Sequence, residues 1–161
     1  MKTKLKLLFL SGFNEQKSHI AVNGLINGEK ATLIIDTGAS NCVLDTAAEE
    51  KFNLDIDHSF KSEKAVGLGS DNIESNLARA KSFSLNEFHL KNFPFVLLDL
   101  SIINKSLTDN GYDPIDGVIG TDLLLAGNSK INYKKKTIRF KGSKKKLNKK
   151  FKHLYSALAD K

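Results

Sequence analysis

Leu33-Ile34-Ile35 runs straight into Asp36-Thr37-Gly38-Ala39-Ser40, followed by Asn41-Cys42-Val43-Leu44-Asp45. An apolar strand that ends on an acid brings a carboxylate to the margin of a core, where burying an unpaired charge costs several kcal/mol. Gly38 would let the backbone approach that carboxylate and present an N–H to it. One carboxylate can accept or donate a proton, but amide hydrolysis needs both acts within one site. Two carboxylates held a few ångströms apart cannot both ionise, so they share a proton and titrate as a unit. The other reading of Asp36 is an Asx-type turn, its side chain capping local N–H groups. A second copy of the motif is absent from the sequence. Asp116-Gly117 lacks the following threonine and small-hydroxyl pair and reads as a turn; Asp122 reads as a helix-start or hydrogen-bonding residue.

The elements that must hold this carboxylate are short and mostly extended. His19–Ile26 and Glu29–Ile35 flank Asn27-Gly28, a dipeptide that favours the positive φ angles of a tight hairpin. The second strand delivers Asp36. A short helix is expected over Ala47–Phe52, capped by Asp45 or Thr46. Val66-Gly67-Leu68-Gly69 is a glycine-punctuated turn, and Ile73–Leu85 and Phe93–Leu100 read as strands. A short helix over Ser101–Leu107 and a loop over Thr108–Asp116 follow. Val118-Ile119-Gly120 is a short apolar strand running into a helix over Thr121–Gly127. Lys130–Tyr133 and Thr137–Phe140 form a closing hairpin. Many short strands with few helices predict an all-β barrel or sandwich.

Asp36-Thr37-Gly38-Ala39-Ser40, its apolar approach, and Val118-Ile119-Gly120 about eighty residues later resemble the retropepsin-like aspartic proteases, single-domain relatives of pepsin. The resemblance runs from about His19 to Phe140 and implies a closed β-barrel-like acid protease fold. It also implies an aspartic endopeptidase that works as a homodimer on peptide or protein substrate, each chain bringing one Asp36. By the same resemblance Thr37 bonds across the dimer axis, while Gly38, Ala39 and Ser40 support the catalytic loop. Val118, Ile119 and Gly120 pack behind that loop. Val66, Gly67, Leu68 and Gly69 take the place of a flap over the substrate, with Leu33, Ile35, Val66, Leu68 and Ile119 expected to line apolar pockets. The sequence departs from viral members at Ser40 and Asn41, where they carry acids, and at Thr121, where they carry an arginine. Thr137–Phe140 falls near their shared dimer strand. No cofactor or metal is implied. The alternative on the same fold is a non-catalytic module that binds peptide or nucleic acid.

The chain has 161 residues, 40% hydrophobic and 27% charged, which suits one globular domain with a sizeable core. That domain is expected over 1–141, with a basic tail over 142–161. Leu147, Phe151, Leu154 and Leu158 form an apolar helical stripe there, so the tail reads as an added C-terminal helix. The net charge of +7 conceals an asymmetry. Residues 130–161 hold 12 Lys, one Arg and one acid, whereas residues 1–129 hold 12 basic and 17 acidic side chains. The tail lysines read either as a contact for nucleic acid or an anionic surface, or as the solvated face of a docked helix; the second is favoured, since no aromatic residues interleave them. No apolar run is long enough to span a membrane. Leu7–Leu10, behind N-terminal lysines, reads as a first strand rather than a leader, giving a cytoplasmic expectation. The single Cys42 reads as a small core residue, and the four histidines show no metal-binding spacing.

Overall fold

In the computed structural model, residues 1–11, 17–57 and 76–153 are described. Strands β1 (Lys2–Lys6), β2 (Leu8–Ser11), β3 (Lys17–Ile26), β4 (Glu29–Ile35) and β5 (Val43–Asp45) precede helix α1 (Ala48–Phe52). Then come β6 (Asp55–Asp57), β7 (Asn76–Leu85), β8 (Phe88–Leu98), α2 (Ser101–Asp109), β9 (Gly117–Ile119) and α3 (Thr121–Ala126). The last elements are β10 (Lys130–Asn132), β11 (Thr137–Lys141) and α4 (Lys144–His153).

The larger sheet closes on itself. Its order is β2-β3-β4-β9-β5-β8-β7-β6, and β7 also pairs with β3 through Leu25–Ser84 and Ile26–Phe83. Six strands, β3-β4-β9-β5-β8-β7, therefore make a closed barrel, the all-β architecture expected. Closure removes the open edges that a sheet of this size would otherwise expose. The core inside it includes Val22, Leu33, Leu44, Phe83, Phe93, Phe95 and Ile119, all at most 1% exposed. A second apolar cluster, including Ile34, Val43, Leu107, Ile115 and Val118, packs the other face of β4, β5 and β9.

The Asn27-Gly28 turn forms as its sequence demands, with φ of 50° and 92° and Ile26 opposite Glu29. Among the boundaries that differ from expectation, three stand out. The N-terminal stretch is two strands, β1 and β2, belonging to different sheets. Strand β8 starts at Phe88 rather than Phe93, because Asn86-Glu87 makes a two-residue hairpin and Phe88 and Leu90 turn inward. Helix α1 begins at Ala48 with no side-chain cap; the Asp45 carboxylate accepts from the Ala47 N–H and from Asn104 Nδ2 instead.

A smaller sheet, β1-β11-β10, joins the two ends of the domain. β11 has partners on both sides, so the strand expected near a shared dimer sheet has no free edge; among the described residues β1 and β10 carry the edges. The C-terminal helix α4 lies against β8. Leu147 and Phe151 are buried, and the Phe151 ring sits 4.6 Å from that of Phe93. Burial of a phenylalanine is worth about 1.5–3 kcal/mol, so α4 is docked through these two residues. Asn148 Oδ1 accepts from the Lys91 N–H at 3.0 Å, and Arg79 donates to the Phe151 carbonyl at 3.1 Å. Leu154 and Leu158 lie outside the described residues.

Candidate active site

β4 carries Asp36 out of the core at its C-terminal end. β9 lies between β4 and β5, parallel to the first (Ile35 beside Ile119) and antiparallel to the second (Val43 opposite Val118). It thus grips both ends of the loop over residues 36–42. The ladder extends one residue further, with the Asp36 N–H donating to the Ile119 carbonyl at 3.1 Å. Gly117 and Gly120 make this fit possible: a Cβ on Gly117 would overlap the Val43 carbonyl, and one on Gly120 the Asn41 carbonyl.

Asp36 is exposed in the single chain, as are Thr37, Gly38 and Ser40. The Gly38 N–H donates to Asp36 Oδ1 at 2.8 Å, and a Cβ on Gly38 would come within 3.2 Å of that oxygen. One carboxylate oxygen is thereby fixed by backbone. The same contact closes an Asx turn.

Behind the carboxylate the loop is tied to the start of α3. The Thr121 N–H and hydroxyl both donate to the Ala39 carbonyl, at 2.8 and 3.0 Å, and the Asp122 N–H donates to that of Ser40 at 3.2 Å. Asp122 Oδ2 accepts from the Cys42 N–H and Oδ1 from the Cys42 thiol, each at 3.0 Å. The Gly120 N–H donates to Cys42 Sγ at 3.4 Å. Burial, and then the Asp122 carboxylate beside it, hold the Cys42 thiol well above its ordinary range. Cys42 is thus a protonated hydrogen-bond donor in the core rather than a nucleophile. Asp116 does more than turn the chain: its carboxylate accepts from the Thr32 N–H at 2.8 Å and pairs with Lys51 at 2.6 Å.

A cavity of about 370 Å³ opens beside Asp36 and Thr37, lined by Phe9, His19, Ile20, Ile34, Ile35, Ile131 and Tyr133. Of the expected pocket residues that are described, Ile35 lines it. Leu33 and Ile119 are wholly buried in the barrel core, because on β4 and β9 they point inward. Val66, Gly67, Leu68 and Gly69, expected to form a flap, lie outside the described residues. Ile20 was legible: counting outward from the Asn27-Gly28 turn sets it opposite Ile35. Phe9, Ile131 and Tyr133 come from the chain ends, and no local signal marks them. Among the described residues no cluster of His, Cys, Asp or Glu could hold a metal ion, and no helix is long and apolar enough to cross a membrane.

Residues 22–123 match the protein family described as aspartyl protease. Among solved structures the chain is similar to a retropepsin-like aspartic protease from Rickettsia conorii. The two are 16% identical over 87% of this chain and 92% of that one, with a TM-score of 0.52. It is also similar to EIAV protease complexed with the inhibitor HBY-793, at 20% identity over 74% of this chain and 97% of that one, again with a TM-score of 0.52. At these identities the likeness is one of fold. No curated protein matches the sequence.

Proposed function

Because the chain belongs to the aspartyl protease family, we propose that it is an endopeptidase that activates water between the Asp36 carboxylates of two identical subunits. The observation that carries this reading is an exposed carboxylate at the end of a core strand, one oxygen fixed by the Gly38 N–H and the loop behind it tied to α3. The motif occurs once in the sequence, so the second carboxylate comes from a second copy. The two side chains share one proton. The ionised member takes a proton from water as the water attacks the scissile carbonyl. The protonated member polarises the carbonyl oxygen, and a proton then passes to the leaving amine. Either subunit can take either role.

We assign subunit pairing to the edge of β10. Among the described residues β10 pairs only with β11, and Ile131 and the mostly exposed Tyr133 line the same cavity as Asp36. Pairing there would join two three-stranded sheets and bring both Asp36 cavities to one seam. Peptide substrate would lie across that seam in extended form, held by main-chain hydrogen bonds, with side chains alternating into apolar pockets.

The test is cleavage of a mixed peptide library by the wild type and by Asp36→Asn between acidic and neutral pH. The wild type is expected to cut, and the variant to lose at least about 10²–10⁴-fold in rate with unchanged circular dichroism and oligomeric state. A wild type that cuts nothing, or a variant that cuts as well, would overturn the reading.

A further inference from the structure

The lysines of the N-terminal strand and those of the C-terminal region, remote in sequence, meet on one surface. β1 and β11 pair so that Lys2 faces Lys141 and Lys4 faces Arg139, and β10 sets Lys130 beside Arg139. Residues i, i+2 and i+4 of a strand share a face, so Lys6 joins them. The alternate residues Leu5, Ile138 and Phe140 are buried. The outer face of this sheet therefore presents Lys2, Lys4, Lys6, Lys130, Arg139 and Lys141, all exposed. Its three strands contain no acid. The ion pairs found among the described residues use Lys51, Lys81 and Lys105, not these six. At one end the face deepens into a cavity of about 950 Å³ lined by Lys2, Lys130, Arg139, Lys141, Asn128 and Ser143.

Like charges set opposite one another in a sheet are destabilising, so a fold that keeps them calls for a reason. Lysine on edge strands protects against edge-to-edge aggregation. That would account for β1, but not for Lys130 on the edge assigned to subunit pairing, nor for Arg139 and Lys141 on the central strand. Six cations within a patch roughly 10 by 14 Å, from strand spacing and rise, match a polymer of closely spaced negative charge. The face's apolar neighbours in the cavity wall, the half-buried Met1 and the wholly buried Phe140, do not project as a side chain entering a bilayer's headgroup boundary would. Phe140, in the wall of that cavity, is wholly buried and offers no ring face for a base to stack on.

We propose that the outer face of the β1-β11-β10 sheet docks the phosphate backbone of a nucleic acid, without reading its bases. Contacts of that kind position a protein on the polymer and carry no sequence information. Ile131 points from the same sheet toward the Asp36 cavity, so docking on the outer face leaves that cavity open. The inference stands apart from the proteolytic reading.

The test uses the full chain and fluorescently labelled nucleic acid of mixed sequence, single- and double-stranded, followed by anisotropy between about 50 and 200 mM salt. The wild type is expected to bind with similar affinity whatever the sequence, and steeply more weakly as salt rises. Lys4→Gln/Arg139→Gln/Lys141→Gln should lose at least tenfold at the lower salt. Its log–log salt slope should be shallower by about 2, at roughly 0.7–0.9 per phosphate contact. This variant should melt no lower than the wild type, since it removes opposed like charges. Lys145→Gln/Lys149→Gln/Lys152→Gln, on α4, should lose less. Asp36→Asn should bind as the wild type does, which separates this result from any failure of catalysis. Three outcomes would overturn the proposal: no binding at low salt, a sheet variant that binds as well as the wild type or better than the α4 variant, or capture by phosphatidylserine vesicles with none by nucleic acid.

Discussion

A single methyl group on Gly120 would overlap the Asn41 carbonyl, on the loop that presents Asp36. Neighbouring backbone cannot yield as a flexible side chain would, because β9 is held by strands on both sides. Overpacking of this kind costs about 1–3 kcal/mol. Gly120→Ala is therefore expected to lower the melting temperature and to reduce kcat more than it raises KM, as peptide turnover will reveal. A variant matching the wild type in both would contradict the account. Asp36, Gly38 and Gly120 were legible in the sequence because their demands are local: a carboxylate at a strand end, a backbone approach, a strand followed by a helix. The Cys42–Asp122 contact spans 80 residues and was not. Asp122 stood out as a hydrogen-bonding residue and Cys42 as a core residue, but nothing local in either says that they meet.

At the scale of elements, α3 braces the loop over residues 36–42. Its first turn takes the Ala39 and Ser40 carbonyls, and Asp122 takes the N–H and thiol of Cys42. Asp122→Ala would take the side-chain acceptor from three donors, the Cys42 N–H and thiol and the Leu123 N–H, at about 1–3 kcal/mol for a buried donor left unpaired. The expected result is lower stability together with a fall in kcat at nearly constant KM, measured by denaturant unfolding and initial rates. Asp122→Asn, which keeps one side-chain acceptor, should restore part of both. Loss of stability with kcat untouched would mean that α3 supports the fold but not the site. The β3–β4 hairpin could be read down to its register, since Asn27-Gly28 dictates the turn and the turn dictates the pairing. The start of β8 could not. Lys91-Asn92 looks like a break ahead of Phe93-Pro94, yet Asn92 takes a φ of 50° without leaving the strand, as asparagine can.

Over the whole molecule, the barrel was foreseeable from many short strands, whereas the sheet that joins its ends was not. β1 and β11 pair from opposite ends of the chain, and only that pairing gathers their lysines onto one face and leaves β10 as an edge beside Asp36. The charge asymmetry read from the sequence placed the basic surface in the tail alone; the fold adds the N-terminal strand to it. The proposed activity requires two subunits, each supplying one Asp36. Mixing wild-type chains with Asp36→Asn chains at equal amounts, after exchange of subunits, tests it directly. If each active unit needs both carboxylates, and partners pair at random, the mixture should retain about one quarter of the activity of the same total amount of wild type. Retention of about one half would show that each chain works alone, and the paired-carboxylate account would fail.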